Sequence, residues 1–353
     1  MYIRHVMRKL LLVLGFGAAL QMNAQIGGSA AFASLDLPAS ARMAALGGKV
    51  GSIYDHDLNL GIWNPSLLTD TCGSQVAFSF ADYFTDIKFG YAALAYHFDN
   101  IGTFSLTGTR IDYGSFRETD ATGATIGEFT AGEYGVTLGY SRALEHNFTF
   151  GANLKFLQSN LYLWRANALA ADVAISWHHP EKNLSASVLM RNAGLMMRTY
   201  TGGNREKLPF EILGGISYKP KHAPFRLSLT LQNLDQWDLT YEDPANPSVS
   251  VDPLTGDSIR VSKFRRASDM LGRHVVFGTE ILIGKVVSLR FGYNYQRRKE
   301  LAIGTRQGAV GLSFGAGIRI FKVNLAYGRS IYHLAGGVNT FSMSVRVNDF
   351  IKP

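Results

Sequence analysis

Apolar and polar residues alternate along two neighbouring segments of the chain, on either side of a break at 143–147. The first arm, 134–141, has an aromatic or aliphatic residue at every even position and Gly, Thr or Ser between them. The second arm, 148–156, repeats the pattern. A period of two residues is typical of β-strands, so the pattern predicts a β-hairpin. The hairpin alone fits a soluble sandwich and a membrane barrel equally well.

The same period recurs about fourteen times between residues 74 and 348, and short and long connections alternate between the predicted strands. Short turns are expected at sites such as 99–101, and long loops at sites such as 114–131 and 235–273. A soluble sandwich has no reason to keep this order, whereas outer-membrane barrels have short periplasmic turns and long outer loops. We therefore expect an all-β protein, a transmembrane antiparallel β-barrel of about fourteen strands over 74–353.

Charged residues within the predicted strands fall on the polar face. A charge on the lipid face near the midplane would cost about 2 to 4 kcal/mol, whereas a charge in the lumen keeps water or a partner. Their mixed signs favour a salt-bridged interior that contacts a plug over an ion-selective pore, with unpaired lumenal charges as the alternative. These residues are Lys155, Asp172, Arg191, Arg226, Glu280, Arg290, Arg319 and Arg346.

The N-terminus has the order of a secretory signal peptide, with basic residues, an apolar run and then small residues. We predict a signal peptide over 1–24, cleaved after Ala24, and therefore export to the outer membrane; a buried N-terminal helix is the alternative. Loss of Arg4, Arg8 and Lys9 lowers the formal net charge from +8 to +5. No basic motif interleaved with aromatic residues supports nucleic-acid binding. No other run of about 18 apolar residues predicts a transmembrane helix.

The segment 25–73 lacks the two-residue period and contains Ala- and Gly-rich turns. Irregular backbone at membrane depth must be surrounded by protein or by a water-filled cavity. We therefore expect 25–73 to form a hatch inside the barrel mouth, with a loose periplasmic leader as the alternative. The single cysteine, Cys72, excludes an intramolecular disulfide framework.

Motifs of known catalytic chemistry are absent from the sequence: no nucleophile elbow, Walker loop, zinc-protease motif or paired cysteines occur. We therefore expect no enzymatic activity and no cofactor. Two groups could be considered as metal ligands, but adjacent side chains rarely converge on one ion without partners from elsewhere. They are His178 and His179 with Glu181, and Asp55, His56 and Asp57.

The segment 235–273 is too long to serve only as a hairpin connection, and loops of this length are usually functional or disordered. Its aromatic and basic residues are of the types that most often anchor protein interfaces. We predict a partner-binding loop, with a flexible solvated loop as the alternative. The candidate residues are Trp237, Tyr241, Arg260, Phe264, Arg265 and Arg266.

Several strings in the sequence together resemble a known family. The string LPASARMAALGG followed by NPSLL is similar to the N-terminal hatch of FadL-like outer-membrane proteins. The strings GSFRETDATGATIGEFTAGEYGVTLGYSRAL, NREKLPFEI and HAPFRLSLTLQNLDQWDLTY resemble the PorQ family of the Bacteroidota type IX secretion system. The resemblance covers most of the mature chain. Within it, Asn64 and Pro65 match hatch positions to which we assign a structural role.

The resemblance implies a non-catalytic outer-membrane barrel that acts in a cell-surface attachment complex. In this complex it would hold PorZ at the membrane while secreted cargo is processed and attached to lipopolysaccharide. PorU and PorV would be its further partners, through the complex. Its other contacts would be with outer-membrane lipid, and none with nucleic acid. The alternative is a FadL-type transporter of hydrophobic molecules, which requires a lipid-sized apolar pocket between hatch and wall.

Overall fold

The computed structural model of the protein describes residues 30–202, 205–240, 250–251, 258–259, 262–301, 308–333 and 336–347. The predicted signal peptide, 1–24, lies outside these residues. Sixteen strands are present in this part of the chain. They are β1 (Gln75–Asp82), β2 (Lys88–Phe98), β3 (Gly102–Thr119), β4 (Thr125–Ala143), β5 (Phe148–Leu161), β6 (Trp164–His179), β7 (Leu184–Arg198), β8 (Glu211–Tyr218), β9 (Phe225–Leu231), β10 (Ser250–Val251), β11 (Ser258–Ile259), β12 (Val275–Ile283), β13 (Val287–Asn294), β14 (Leu312–Ile320), β15 (Val323–His333) and β16 (Gly336–Arg346).

Fourteen of these strands close into an antiparallel barrel, which confirms the predicted fold class. Each barrel strand pairs with the next one along the chain, except that β9 pairs with β12. The barrel closes where β1 pairs with β16, from Gln75 opposite Arg346 to Asp82 opposite Asn339. Strands β10 and β11 form a separate ribbon. No helix within the described ranges is long and apolar enough to span a membrane.

The outward face of the barrel is apolar. Leu138, Leu154 and Val188 point outward with more than half of their surface exposed, 51%, 58% and 55%. Apolar surface costs roughly 25 cal/mol per Å² in water, so a continuous belt of such side chains is stable only against lipid. The predicted assignment of the hairpin is confirmed: Leu138 and Leu154 face outward, and Gly139 and Gly151 contact groups in the lumen.

The hatch, residues 30–73, fills part of the lumen, as expected. It contains α1 (Ala41–Ala45), α2 (Leu58–Gly61) and 3-10 helices at Ala33–Asp36, Pro65–Leu67 and Asp70–Cys72. Its apolar side chains are fully buried against small wall residues: Met43, Leu46, Leu58 and Leu68 are 0% exposed. Burial inside the barrel removes these side chains from water, which explains why a segment without strand pattern is folded here.

Glycines in the wall mark where the hatch backbone touches the strands. A Cβ at Gly151 would lie 2.2 Å from the carbonyl carbon of Pro65, and one at Gly328 would lie 2.2 Å from the carbonyl oxygen of Ala41. A Cβ at Gly292 would lie 2.3 Å from the carbonyl carbon of Leu46. Hatch backbone and strand backbone therefore approach each other more closely than any larger residue allows.

The connections differ from the prediction at one end of the barrel. The end that carries 99–101, 180–183 and 321–322 has short turns, as expected, and is called the turn end; in outer-membrane barrels it is periplasmic. At the opposite, loop end, the predicted loop 114–131 is mostly strand, because β3 and β4 continue to Thr119 and from Thr125. The ends of β3 and β4 that extend beyond the membrane need no apolar face. The alternation of apolar and polar residues therefore did not predict them.

Helices occur where long loops were expected. The segment 235–273 contains α3 (Lys263–Arg273), and α4 (Tyr295–Leu301) follows β13 directly. Ser262 caps α3, since its hydroxyl accepts a hydrogen bond from the backbone NH of Arg265 at 3.3 Å. The loop end is therefore partly covered by ordered helices.

Candidate functional site

A buried charge cluster joins the hatch to the wall. It consists of three hatch residues, Arg42, Asp55 and Asp57, and three wall residues, Arg226, Glu280 and Arg290. With three cations and three carboxylates, the cluster is neutral. It confirms the expectation of a salt-bridged interior that contacts the plug.

Arg42 is the centre of the cluster. Its guanidinium lies 2.7 Å from Glu280, 2.5 Å from Asp55 and 2.9 Å from Asp57. Glu280 is 1% exposed and also accepts hydrogen bonds from Arg226 at 2.8 Å and from Arg290 at 2.9 Å. Such a buried network is strongly destabilised when one member is removed, because the remaining charges lose their partners.

The local sequence explains why Arg42 reaches this position. Ser40 caps α1 by accepting a hydrogen bond from the NH of Met43 at 3.3 Å. The helix ends at Gly47 and Gly48, whose φ values of 98° and 95° suit glycine. Alanines on either side of Arg42 allow α1 to lie against the wall. The short capped helix α1 thus places the long side chain of Arg42 against Glu280.

The remaining predicted lumenal charges have separate partners. Lys155 lies 2.7 Å from Asp172, and Arg191 lies 3.7 Å from Glu211. The Nε of Arg319 donates a hydrogen bond to Asn324 at 2.7 Å. Arg346 is exposed at the end of β16. The interior therefore combines ion pairs deep in the barrel with more open cations near the turn end.

An apolar cavity of about 80 Å³ lies between the hatch and strands β2 to β5. Hatch side chains, among them Trp63, form one side, and wall side chains such as Ile111 and Leu157 form the other. The Arg191 guanidinium lies over the Trp63 ring at 4.3 Å. The cavity exceeds the roughly 10–15 Å³ that one water needs and is smaller than the roughly 300–1,000 Å³ of sites that enclose drug-sized ligands.

The hatch pair Asn64 and Pro65 lies in a tight contact with the wall. The Asn64 side chain accepts a hydrogen bond from the NH of Ser66 at 3.1 Å and donates one to the carbonyl of Gly51 at 2.5 Å. Pro65 is the first residue of its 3-10 helix, where a missing NH costs nothing. The Ser66 hydroxyl lies 2.5 Å from that of Ser176 on β6. The Asn64 bonds fix the backbone within the hatch, and the bond between Ser66 and Ser176 joins the hatch to the wall.

The candidate partner-binding residues lie at the loop end. Phe264 is 83% exposed and Trp237 is 60% exposed, and Arg265 and Arg266 are exposed on α3. The Trp237 ring stacks on His274 at a centroid distance of 5.3 Å. Tyr241 and Arg260 lie outside the described residues. The structure thus presents one exposed aromatic residue and two exposed arginines together on one helix.

Asp269 ties the two loop-end helices together. Its carboxylate accepts a hydrogen bond from the Tyr295 hydroxyl at 2.7 Å and lies 3.0 Å from both Arg273 and Lys299. Burial raises the pKa of Asp269, but hydrogen bonds from Tyr295, Lys299 and Arg273 outweigh it and lower the pKa. The carboxylate therefore stays ionised and joins α3 to α4.

The groups weighed as metal ligands have other contacts. Asp55 and Asp57 bind Arg42, while His56 Nδ1 lies 2.8 Å from the Thr69 hydroxyl. The His178 ring stacks on Tyr54 at 4.4 Å. Within the described ranges, no three His, Cys, Asp or Glu side chains are arranged to hold a metal ion.

Sequence reasoning missed Arg42 and the residues around the apolar cavity. Arg42 stands alone as a charge in an Ala-rich helix between two caps, which is a usable signal for a buried ion pair. Leu157 gave a weaker signal, since it is an apolar residue at a lumen-facing position, two residues after Lys155. The partners of both come from distant strands.

Comparison with known proteins supports the fold. The Pseudomonas putida toluene transporter TodX is 11% identical, with 87% of this chain and 96% of that chain covered and a TM-score of 0.50. A Pseudomonas aeruginosa FadL homologue is 11% identical, with coverage of 87% and 98% and a TM-score of 0.48. The monoaromatic hydrocarbon channel CymD is 9% identical, with coverage of 90% and 99% and a TM-score of 0.49.

No family model and no curated protein sequence matches the chain. The likeness to TodX concerns the fold alone, which in this chain is a closed fourteen-strand barrel with an N-terminal hatch. This fold, together with the apolar outward face, supports an outer-membrane localisation.

Proposed function

We propose that the protein is a non-catalytic outer-membrane barrel that admits small hydrophobic molecules into the space between hatch and wall. The apolar cavity lined by Trp63, Ile111 and Leu157 carries this proposal. It lies between hatch and wall, where the transporter alternative predicted a pocket, but it is smaller than the lipid-sized pocket that this alternative predicted. TodX, which shares the fold, is described as a toluene transporter, and this supports a ligand of similar size.

The geometry favours a small apolar molecule or the end of an acyl chain. Apolar groups dominate the cavity lining, so binding removes apolar ligand surface from water. The Trp63 ring, over which the Arg191 guanidinium lies, contributes an aromatic side chain to this lining. Movement of a ligand beyond the cavity would require the hatch to shift, and the charge cluster opposes that shift.

Filling the cavity should reduce ligand binding. We expect Leu157→Phe to weaken toluene binding about tenfold or more, since one misfitting group in an apolar pocket is worth roughly 10- to 200-fold. Binding is measured by calorimetric titration of the full-length protein in detergent. Leu154→Phe is the matched control, because Leu154 lies on the same strand and faces lipid. Absence of saturable binding to the unmodified protein, or equal loss in both variants, would contradict the proposal.

Docking of a surface partner is the second candidate function. It is favoured by the exposed Phe264 beside Arg265 and Arg266 on α3, a helix that Asp269 holds in place. Aromatic and Arg side chains on an ordered element are the usual anchors of an interface. By resemblance to the PorQ family, the partner would be PorZ and, through it, PorU and PorV of a type IX attachment complex.

Substitution of the helix anchors tests docking. We expect Phe264→Ala combined with Arg265→Glu and Arg266→Glu to lower recovery of PorZ more than tenfold, since loss of an interface hot spot costs about 2 kcal/mol or more. Recovery is measured by pull-down of the tagged full-length protein from outer membranes, with partners identified by mass. Arg117→Glu, a charge reversal on the exposed part of β3, is the control. Unchanged recovery of PorZ would rule out docking through α3.

A further inference from the structure

The hatch leaves a polar cavity of about 560 Å³ open in the turn-end half of the lumen. Eight Arg and Lys side chains line it against three carboxylates, so positive charges exceed negative ones by five. The carboxylates all belong to the charge cluster. The five cations outside the cluster are Lys219, Lys285, Arg319, Lys322 and Arg346.

The carboxylates of the cluster form their ion pairs with the three arginines of the cluster. Glu280 accepts four hydrogen bonds, two from Arg42 and one each from Arg226 and Arg290. A carboxylate has about four lone-pair sites, so Glu280 is saturated. Asp55 accepts hydrogen bonds from both Arg42 and Arg226. The positive charge of the cavity is therefore not balanced by its own lining.

Arg290 lines the cavity and carries a buried donor without an acceptor. The residue is 8% exposed, its Nε donates to Glu280, and its Nη1 has no acceptor among the described residues. The guanidinium lies over Gly317, where a Cβ would come within 2.7 Å of Nη1. A buried guanidinium NH without an acceptor is unfavourable, and the charge of this guanidinium adds to the positive charge of the cavity that it lines.

We propose that this cavity binds a small multivalent anion that carries a phosphate group and enters from the turn end. Arg319 and Lys322 are its ligands near the mouth, and Arg290 adds positive charge to the cavity lining. The planar fork of Arg fits two phosphate oxygens, and Lys supplies further positive charge. The volume is in the range of small-molecule sites. This site is separate from the apolar cavity and adds to the proposed function.

Titration of the full-length protein in detergent tests the site. The probes are inorganic phosphate, glycerol 3-phosphate, and mixed micelles with phosphatidic acid, followed by calorimetry at low ionic strength. We expect saturable binding of at least one probe, weakened about tenfold by Arg319→Gln with Lys322→Gln. Arg290→Gln removes a further lining charge and is expected to weaken binding as well, with the fold checked by circular dichroism.

A matched control removes the same charge elsewhere at the turn end. Lys182→Gln with Lys221→Gln affects exposed residues that do not line the cavity, and binding should be unchanged. Binding of soluble phosphate or its ester identifies a soluble ligand, whereas binding of phosphatidic acid alone identifies a lipid headgroup. No binding of any probe, or equal weakening in the control, overturns the proposal. If Arg290→Gln fails to fold, the comparison of Arg319→Gln with Lys322→Gln against its control, Lys182→Gln with Lys221→Gln, decides whether the proposal stands.

Discussion

Glu280→Gln is expected to destabilise the packed hatch by about 3–5 kcal/mol, the usual cost of breaking a buried ion network. Glu280 is 1% exposed and holds Arg42, Arg226 and Arg290 through hydrogen bonds of 2.7 to 2.9 Å. The amide keeps the shape but removes the charge, so three arginines would face only Asp55 and Asp57. The hatch should then leave the wall more often.

Two measurements detect the release of the hatch from the wall. Limited proteolysis should cut the hatch of the Glu280→Gln variant faster, and the variant should conduct ions more in planar bilayers. Glu181→Gln in an exposed turn is the control. The double variant Glu280→Gln with Arg290→Gln restores charge balance and should recover part of the loss. Unchanged proteolysis and conductance in Glu280→Gln would show that the cluster does not hold the hatch.

Gly151→Val should displace the end of the hatch by steric force. A Cβ at this position would lie 2.2 Å from the carbonyl carbon of Pro65 and 2.3 Å from the nitrogen of Ser66. Both are backbone atoms and cannot rotate away. Overpacking of this kind typically costs about 1–3 kcal/mol, and occasionally more. The bond between the Ser66 and Ser176 hydroxyls should break with it.

The displacement is measured by limited proteolysis of the hatch and by conductance in planar bilayers. Gly108→Val is the matched control. Gly108 also lies in a strand, but a Cβ there meets nothing within 4 Å. We expect Gly151→Val to increase both conductance and cleavage of the hatch. Gly108→Val should leave both unchanged. Equal behaviour of the two variants would contradict the close packing of hatch on wall.

Features that depend on contacts near in sequence could be predicted from the sequence, and features that depend on contacts distant in sequence could not. The strand pattern from 134 to 156 was enough to assign lipid-facing and lumen-facing residues, because each side chain's environment follows from its own parity. The extension of β3 and β4 into 114–131 escaped notice because its outer part faces water on both sides. Helix α3 was missed because loop length and polarity carry no helical signal of their own.

The candidate sites depended more strongly on distant pairing. The charged lumenal positions Arg226, Glu280 and Arg290 were recognised from the sequence, but their common partner was not. Arg42 lies 238 positions from Glu280. Likewise, the apolar cavity brings together the hatch and five strands, and no residue near Trp63 in the sequence indicates that Leu157 is its neighbour.

The alternation of apolar and polar residues, together with the alternating lengths of the connections, was sufficient for the barrel, its approximate strand number and the direction of its side chains, since lipid and lumen impose a local rule on every strand. The docking of the hatch, the neutral charge cluster, the apolar cavity and the cation-rich cavity were decided by the tertiary structure. Each depends on contacts between segments brought together only when the barrel closes, and no local period records such contacts.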